Sequence, residues 1–220
     1  SIKDVAKGQG WDDSRDKFSY IYNKGGIITL EWHMDNLYGG DFYWSNNPYP
    51  DSNVVKSMLP GGVNQNAFKV QLDHIALFLR NLKGDKGESI PVIFRPWHEH
   101  NGNWFWWGDP HCTVDEYKQL WQFTVNYLVD DKKVNNVLFA YSPDKFNTKQ
   151  AYMLRYPGDE YIDILGFDNY ADVKTTAGIQ SLLSQLRYLV EMAEAAGKIP
   201  ALTESGLEGV TNAKWFTQFM

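Results

Sequence analysis

Two glutamates that follow apolar runs are the first candidates for chemistry. Glu99 comes after the run 90–94, and Glu204 comes after the run 199–202, about three strand–helix units of roughly 35 residues further on. A buried, unpaired carboxylate is costly, which favours a purpose for both. Two carboxyl groups that face each other a few ångströms apart can cleave a glycosidic bond with retention of configuration. One serves as acid and then base, and the other as nucleophile.

The residues around Glu99 suggest the kind of ligand. Arg95, His98 and His100 flank it on the segment 94–108, and Trp104 opens a run of four aromatic residues. Aromatic rings stack on the C–H faces of sugars, while charged groups and imidazoles bind hydroxyls. Aromatic residues make up 15% of the chain, with nine tryptophans, and a carbohydrate site would account for that abundance.

Metal and cofactor sites are not expected from the motifs. His98 and His100 alternate and would share one strand face, but no HExxH pattern or third ligand follows them. Gly-Gly pairs occur without the GxGxxG context of a dinucleotide site. Cys112 is the single cysteine, so an intramolecular disulfide is excluded, and we interpret it as a packed thiol. We predict no metal and no cofactor.

The composition of the chain limits the classes of partner that it can bind. The net charge of −6 argues against nucleic acid, which requires a basic face. No run reaches the ~20 apolar residues of a membrane helix, so we predict no membrane span. No signal peptide is recognisable. A chain of 220 residues fits one catalytic domain over 1–220, which we expect to be truncated at both ends.

Apolar strands alternate with amphipathic helices, which predicts a parallel sheet covered by helices. Because each strand ends in polar or aromatic residues, we favour a (β/α)8 TIM barrel, an α/β fold whose site lies at the C-terminal strand ends. A doubly wound sheet is the alternative. Five strands are recognisable, so we expect part of a barrel. The predicted strands are 26–33, 90–99, 137–143, 162–170 and 199–206, and the predicted helices are 64–82, one from Thr113, one with the stripe 179–193 and one from Asn212.

The motifs around both glutamates resemble glycoside hydrolase family 26. The segments 95–102 and 104–108 are similar to its acid/base motif, and 203–206 is similar to its nucleophile strand. Segments 32–36 and 166–170 resemble two further strand ends. The resemblance implies a (β/α)8 barrel of which this chain carries about strands 3 to 7. It also implies retaining endo-hydrolysis of β-1,4-mannosidic linkages in mannan, galactomannan or glucomannan.

The resemblance also implies roles for individual residues. Glu99 would be the acid/base and Glu204 the nucleophile. Trp106 and Trp107 read as packing residues rather than sugar platforms. The substrate-binding residues would be His33, Trp44, Arg95, His98, Trp104, Asp168 and Tyr170.

Three alternatives remain open at this stage. The same mechanism would serve mixed-linkage β-glucan or β-1,3-xylan, and a carbohydrate-binding protein without turnover could use the same scaffold. Two facing acids favour an enzyme over a binding module. Because its substrate would be a polysaccharide, we expect the protein to be secreted, periplasmic or on the cell surface.

Overall fold

A computed structural model describes residues 2–206, 214 and 217. Its sheet has five parallel strands in the order β1-β2-β3-β4-β5. Each strand pairs with its neighbour in sequence, as in a (β/α)8 barrel, whereas a doubly wound sheet would reverse its order. The strands are β1 (Ile28–Trp32), β2 (Val92–Pro96), β3 (Val137–Tyr141), β4 (Ile164–Asp168) and β5 (Ile199–Glu204).

Helices connect the strands. The predicted helix 64–82 is confirmed within one residue at each end, and the one from Thr113 is confirmed together with its capping box. The helix predicted from Asn212 begins outside the described residues. No described helix is both long and apolar enough to cross a bilayer. The helices are α1 (Ile2–Ala6), α2 (Trp11–Asn23), α3 (Val54–Met58), α4 (Gln65–Asn81), α5 (Val114–Asn126), α6 (Lys149–Met153) and α7 (Thr176–Ala196), with a π-helical turn at Tyr127–Asp131 and 3-10 turns at Trp44–Asn46, Asp159–Tyr161 and Asp172–Lys174.

The core lies between the sheet and the helices. Trp32 and Phe94, from β1 and β2, are fully buried. The Trp32 ring stacks on Phe68 of α4 and contacts Trp97, with ring centroids 6.3 and 5.1 Å apart. Because side chains alternate along a strand, burying these rings directs Arg95 to the opposite face of the sheet. That opposite face carries the polar residues of the site.

The strand predicted as 90–99 ends earlier, at Pro96. Trp97 and Glu99 have φ values of 56° and 51°, which turn the chain away from the sheet. Such values are uncommon for non-glycine residues and cluster at functional sites. The Glu99 N–H donates to the Ser142 carbonyl at 2.8 Å, which holds the turn against the end of β3. Glu99 is therefore a turn residue.

The apolar stripe predicted for α7 is partly wrong. Leu182 and Ala193 are buried as predicted, but Val190 is 38% exposed. Gln185 and Leu189 are buried in its place. The Gln185 side chain accepts a hydrogen bond from Asn169 at 3.1 Å, and a polar partner across the interface is not visible in hydrophobic periodicity.

Candidate active site

The fold brings the two candidate glutamates together. Glu204 is the last residue of β5, and Glu99 lies in the turn after β2. One carboxylate oxygen from each of Glu99, Glu204 and Asp168 lies within 4.8 Å of the others. This separation leaves little room for a water molecule between the glutamates and a sugar, as inversion requires. It fits the shorter spacing of retaining enzymes, about 5–5.5 Å.

Glu204 is held in its ionised form. Arg95 and Tyr170 both donate to its carboxylate, the tyrosine hydroxyl at 2.8 Å. Burial acts to raise the pKa of Glu204, but the hydrogen bond from Glu31, the charge of Arg95 and the Tyr170 hydroxyl lower it to about 2. A carboxylate that is ionised and oriented by three neighbours is suited to nucleophilic attack.

Glu99 has the opposite environment. Burial raises the pKa of Glu99 to about 7, against the hydrogen bond from Trp104, which lowers it. The Trp104 Nε1 donates to Glu99 Oε2 at 2.8 Å. A carboxyl group with this pKa holds a proton near neutral pH and can release it, as a general acid and then base must. The two glutamates therefore differ in protonation as well as position.

Arg95 connects the polar face of the sheet. Its side chain is 4% exposed, and it donates to Asp168 at 3.0 Å and to the Ser142 hydroxyl at 2.7 Å. Its second nitrogen donates to Glu31 at 3.2 Å and to Glu204. Asp168 is fully buried and also accepts from Thr203 at 2.6 Å. Arg95 and Asp168 thus lie in the wall beneath Glu204, and Arg95 donates to its carboxylate.

Two of the predicted histidines face the same space. The rings of His33 and His98 lie 4.6 Å apart, edge to face. Burial lowers the pKa of both, that of His98 to about 3, so both imidazoles are neutral. The prediction that His100 shares a face with His98 is wrong. The turn directs the His100 ring between those of Tyr117 and Tyr141, with ring centroids 4.4 and 4.9 Å away.

The tryptophans separate into two groups. Trp104 and Trp44 are partly exposed, and the Trp44 N–H donates to the Trp104 carbonyl at 2.7 Å. Trp44 stacks on His111, with ring centroids 3.8 Å apart. Trp106 and Trp107 are fully buried, and their indole N–H groups donate to backbone carbonyls at 2.8 Å. The buried pair packs the turn, as predicted, and leaves Trp104 and Trp44 able to contact a ligand.

A cavity of about 560 Å³ opens beside this cluster. Its lining includes three residues that the motifs did not indicate, Glu31, Lys3 and Phe42. Glu31 could have been found, because it precedes His33 by two residues and alternation places both on one face. Lys3 reaches the cavity from α1, and the local sequence around Lys3 does not predict that contact. It forms an ion pair with Asp35 at 2.6 Å.

Comparisons with known proteins agree with this geometry. The model of glycosyl hydrolase family 26 matches residues 1–218. A mannan endo-1,4-beta-mannosidase of Bifidobacterium adolescentis is 41% identical over 195 residues, which is 85% of this chain and 19% of the relative. A mannan endo-1,4-beta-mannosidase of Bacillus subtilis is 30% identical over 196 residues, which is 80% of this chain and 52% of the relative.

Solved structures match with the same topology. A GH26 beta-mannanase from Bacteroides ovatus superposes with a TM-score of 0.88 at 40% identity, over 97% of this chain and 63% of that one. An endo-beta-1,4-mannanase of Cellulomonas fimi superposes with a TM-score of 0.85 at 36% identity, over 93% of this chain and 46% of that one. These matches confirm the (β/α)8 barrel, of which the described strands supply five. The chain spans less than two thirds of the length of these relatives.

Proposed function

The chain belongs to glycosyl hydrolase family 26, and on that premise we propose that it is an endo-β-1,4-mannanase. It would hydrolyse internal β-1,4-mannosidic linkages of mannan, galactomannan or glucomannan with retention of configuration. One observation carries the proposal: two carboxyl groups face each other with opposite protonation, Glu99 with a pKa of about 7 and Glu204 with a pKa of about 2. The choice of mannan as the substrate rests on the names of the relatives.

The first step forms a covalent intermediate. The ionised carboxylate of Glu204 attacks the anomeric carbon, while Glu99 gives its proton to the departing glycosidic oxygen. The bond from the anomeric carbon to that oxygen breaks, and an ester to Glu204 forms. Arg95 and Tyr170 hold the attacking carboxylate in place. The shortened chain leaves with a new hydroxyl group.

The second step releases the sugar. Glu99, now ionised, takes a proton from water, and the oxygen of that water attacks the same anomeric carbon. The ester bond breaks, and Glu204 returns as a carboxylate. Two inversions at one carbon leave the configuration unchanged. Glu99 regains its proton, so both carboxyl groups end as they began.

Other residues would bind the sugar beside the cleaved bond. His33 and His98 present neutral imidazoles that can hydrogen-bond hydroxyls, and Trp104 offers a ring face next to Glu99. Trp44, stacked on His111, would extend this aromatic wall. Asp168 would act through Arg95 rather than by touching substrate.

The partner is then a neutral polysaccharide, and a net charge of −6 gives no attraction to nucleic acid. Because such a polymer is met outside the cell, we propose a secreted, periplasmic or cell-surface location.

A substrate panel tests the proposed activity. The protein, incubated with mannan, lichenan and β-1,3-xylan, should release oligosaccharides from mannan alone, as read by thin-layer chromatography. A Glu204→Gln variant should release nothing from any of them. Products from lichenan or xylan in place of mannan would contradict the proposed substrate. The absence of products from all three polysaccharides would contradict the proposed hydrolase activity.

Proton NMR of the first product tests the mechanism. The newly formed reducing end should appear as the β-anomer before mutarotation. An α-anomer would mean inversion and would exclude Glu204 as a nucleophile.

A further inference from the structure

Three side chains that can bind a metal ion converge at the cavity beside Glu204. Glu31 lies on β1, His33 follows its end, and His98 lies in the turn after β2. One donor atom from each lies within 4.8 Å of the other two. We propose that Glu31, His33 and His98 bind a divalent transition-metal cation of the Zn²⁺ type, and that this ion excludes substrate.

The spacing of the first two donors fits an ion. His33 Nδ1 lies 3.8 Å from Glu31 Oε1, too far for a hydrogen bond. Two ligands of one tetrahedral zinc, with bonds of roughly 2.0–2.1 Å, lie about 3.3 Å apart. A small rotation of either side chain closes that difference.

Arg95 prepares the carboxylate for this purpose. It donates to Glu31 Oε2 at 3.2 Å, which leaves Oε1 on the side of His33. Carboxylates that bind metals are commonly oriented by such a second hydrogen bond. The guanidinium therefore positions the ligand from behind.

His98 is the third donor. Its side chain is 2% exposed, and its Nδ1 is buried without a partner among residues 2–206. A buried polar atom without a partner costs free energy, which a ligand on the imidazole would offset. Tightly held metal histidines usually donate their other N–H to an acceptor. Because His98 lacks one in the described structure, we expect an exchangeable ion.

The donor types indicate which cation would bind. The carboxyl groups of Glu31 and Glu204 line the cavity together with the guanidinium of Arg95. Lys3 lines the same cavity but forms an ion pair with Asp35 at 2.6 Å. Two imidazoles and one carboxylate suit Zn²⁺, Cu²⁺ or Ni²⁺, whereas Mg²⁺ and Ca²⁺ prefer oxygen ligands.

The ion would compete with the sugar. Two of the three donors, Glu31 and His33, line the cavity together with Arg95 and Glu204, where the reacting sugar would lie. Bound zinc would therefore raise the apparent KM for mannan without changing kcat. This consequence rests on the proposed function, whereas binding of the ion does not.

Calorimetric titration with ZnCl₂ tests the binding directly. We expect one zinc per chain, with no heat of binding from MgCl₂. His33→Gln and Glu31→Gln should each weaken zinc binding at least tenfold. His74→Gln is the matched control, because this histidine lies on α4, where its ring contacts the Ala6 carbonyl outside the cavity. Its zinc affinity should stay within twofold of the parent.

Each outcome decides the proposal. Absence of zinc binding, or zinc binding that survives both cavity substitutions, overturns it. Weakening by His74→Gln alone would locate the ion elsewhere and also overturn it. A protein that binds zinc at these residues but never hydrolyses mannan would uphold the site and contradict the mannanase. Circular dichroism of each variant confirms that it folds.

Discussion

At the scale of single residues, the site separates two chemically identical side chains. Glu204 accepts from Arg95 and Tyr170, while Glu99 accepts from the Trp104 indole. A cationic donor stabilises the ionised form far more than an indole does. The assignment of nucleophile and acid therefore follows from the neighbours of each glutamate, and kinetics can test it.

Glu99→Ala should fail differently on two substrates. Mannan needs protonation of its leaving oxygen, so its hydrolysis should fall by about 10²–10⁴-fold. A dinitrophenyl β-mannoside has a good leaving group, so it should still give a burst and then stall, because the second step lacks its base. Azide should relieve the stall by replacing water as acceptor. Stopped-flow absorbance of the released phenol measures both phases.

Glu204→Ala is the matched comparison. Without the nucleophile, hydrolysis of both substrates should fall to a similar extent, and no burst should appear. If this variant kept the burst and responded to azide while Glu99→Ala did not, the two assignments would be reversed.

At the scale of elements, the turn 97–108 positions the acid. Gly102 lies against the ring of Trp104 so closely that a Cβ at Gly102 would collide with it. The indole is thereby held where its N–H reaches Glu99. A small residue at one point of the turn thus controls the proton-donating group at another.

Trp104→Phe should raise the pKa of Glu99. The hydrogen bond from Trp104 lowers that pKa, so its loss removes an interaction that favours the ionised form. The basic limb of kcat/KM, which reports deprotonation of the acid, should move to higher pH. Gly102→Ala should move it in the same direction by displacing the ring. An unchanged basic limb in Trp104→Phe would show that the hydrogen bond is absent in solution.

The capping box of α5 predicts a loss of stability without a change in chemistry. The Thr113 hydroxyl accepts from the Glu116 N–H at 3.2 Å, and Glu116 also binds Asn53 at 3.0 Å. Thr113→Ala should lower the free energy of unfolding by about 1 kcal/mol in urea titrations. Thr113→Ser keeps the hydroxyl and should retain most of the stability that the cap provides. Equal losses in both variants would mean that the cap does not contribute.

The same elements show how far sequence reasoning extends. Strands, capping box and the α4 helix follow local rules of periodicity and hydrogen bonding, and these predictions are confirmed except that the strand predicted to residue 99 ends at Pro96. The pairing of Glu99 with Glu204 followed from assigning both to strand ends of a barrel. The left-handed turn at Glu99 was missed, because it depends on contacts with β3 that are distant in sequence. Glu31 was missed because motifs drew attention to His33 beside it.

At the scale of the whole molecule, one buried arginine joins the sheet. Arg95 of β2 contacts side chains from β1, β4 and β5, through Glu31, Asp168 and Glu204. Arg95→Met would leave buried carboxylates unpaired, and removing one partner of a buried ion pair costs about 3–5 kcal/mol. We expect that loss in urea unfolding at pH 7, and a smaller one at pH 4.5, where carboxyl groups can take up protons. A loss below about 1 kcal/mol at pH 7 would contradict it.

The two glutamates should also differ in how they affect the pH dependence of the free energy of unfolding. The pKa of Glu99 is raised to about 7 by burial, so the folded state keeps its proton above pH 4.5, where the unfolded chain has lost it. The stability this provides is present at low pH and is lost as pH rises through 7. Glu204, with a pKa lowered to about 2, is ionised in both states from pH 5 to 8. In the folded state Glu204 therefore takes up no proton in that range.

Unfolding of Glu99→Gln and Glu204→Gln across pH 4.5–8 tests this contrast. The stability of each variant is taken relative to the parent at the same pH. Glu99→Gln should gain stability on the parent as pH rises, because a neutral amide avoids the cost of a half-buried charge. Glu204→Gln should be less stable than the parent at pH 7, because it loses the charged hydrogen bond from Arg95. A flat difference for Glu99→Gln would mean that Glu99 is ionised throughout, and a residue ionised at neutral pH could not protonate the leaving group.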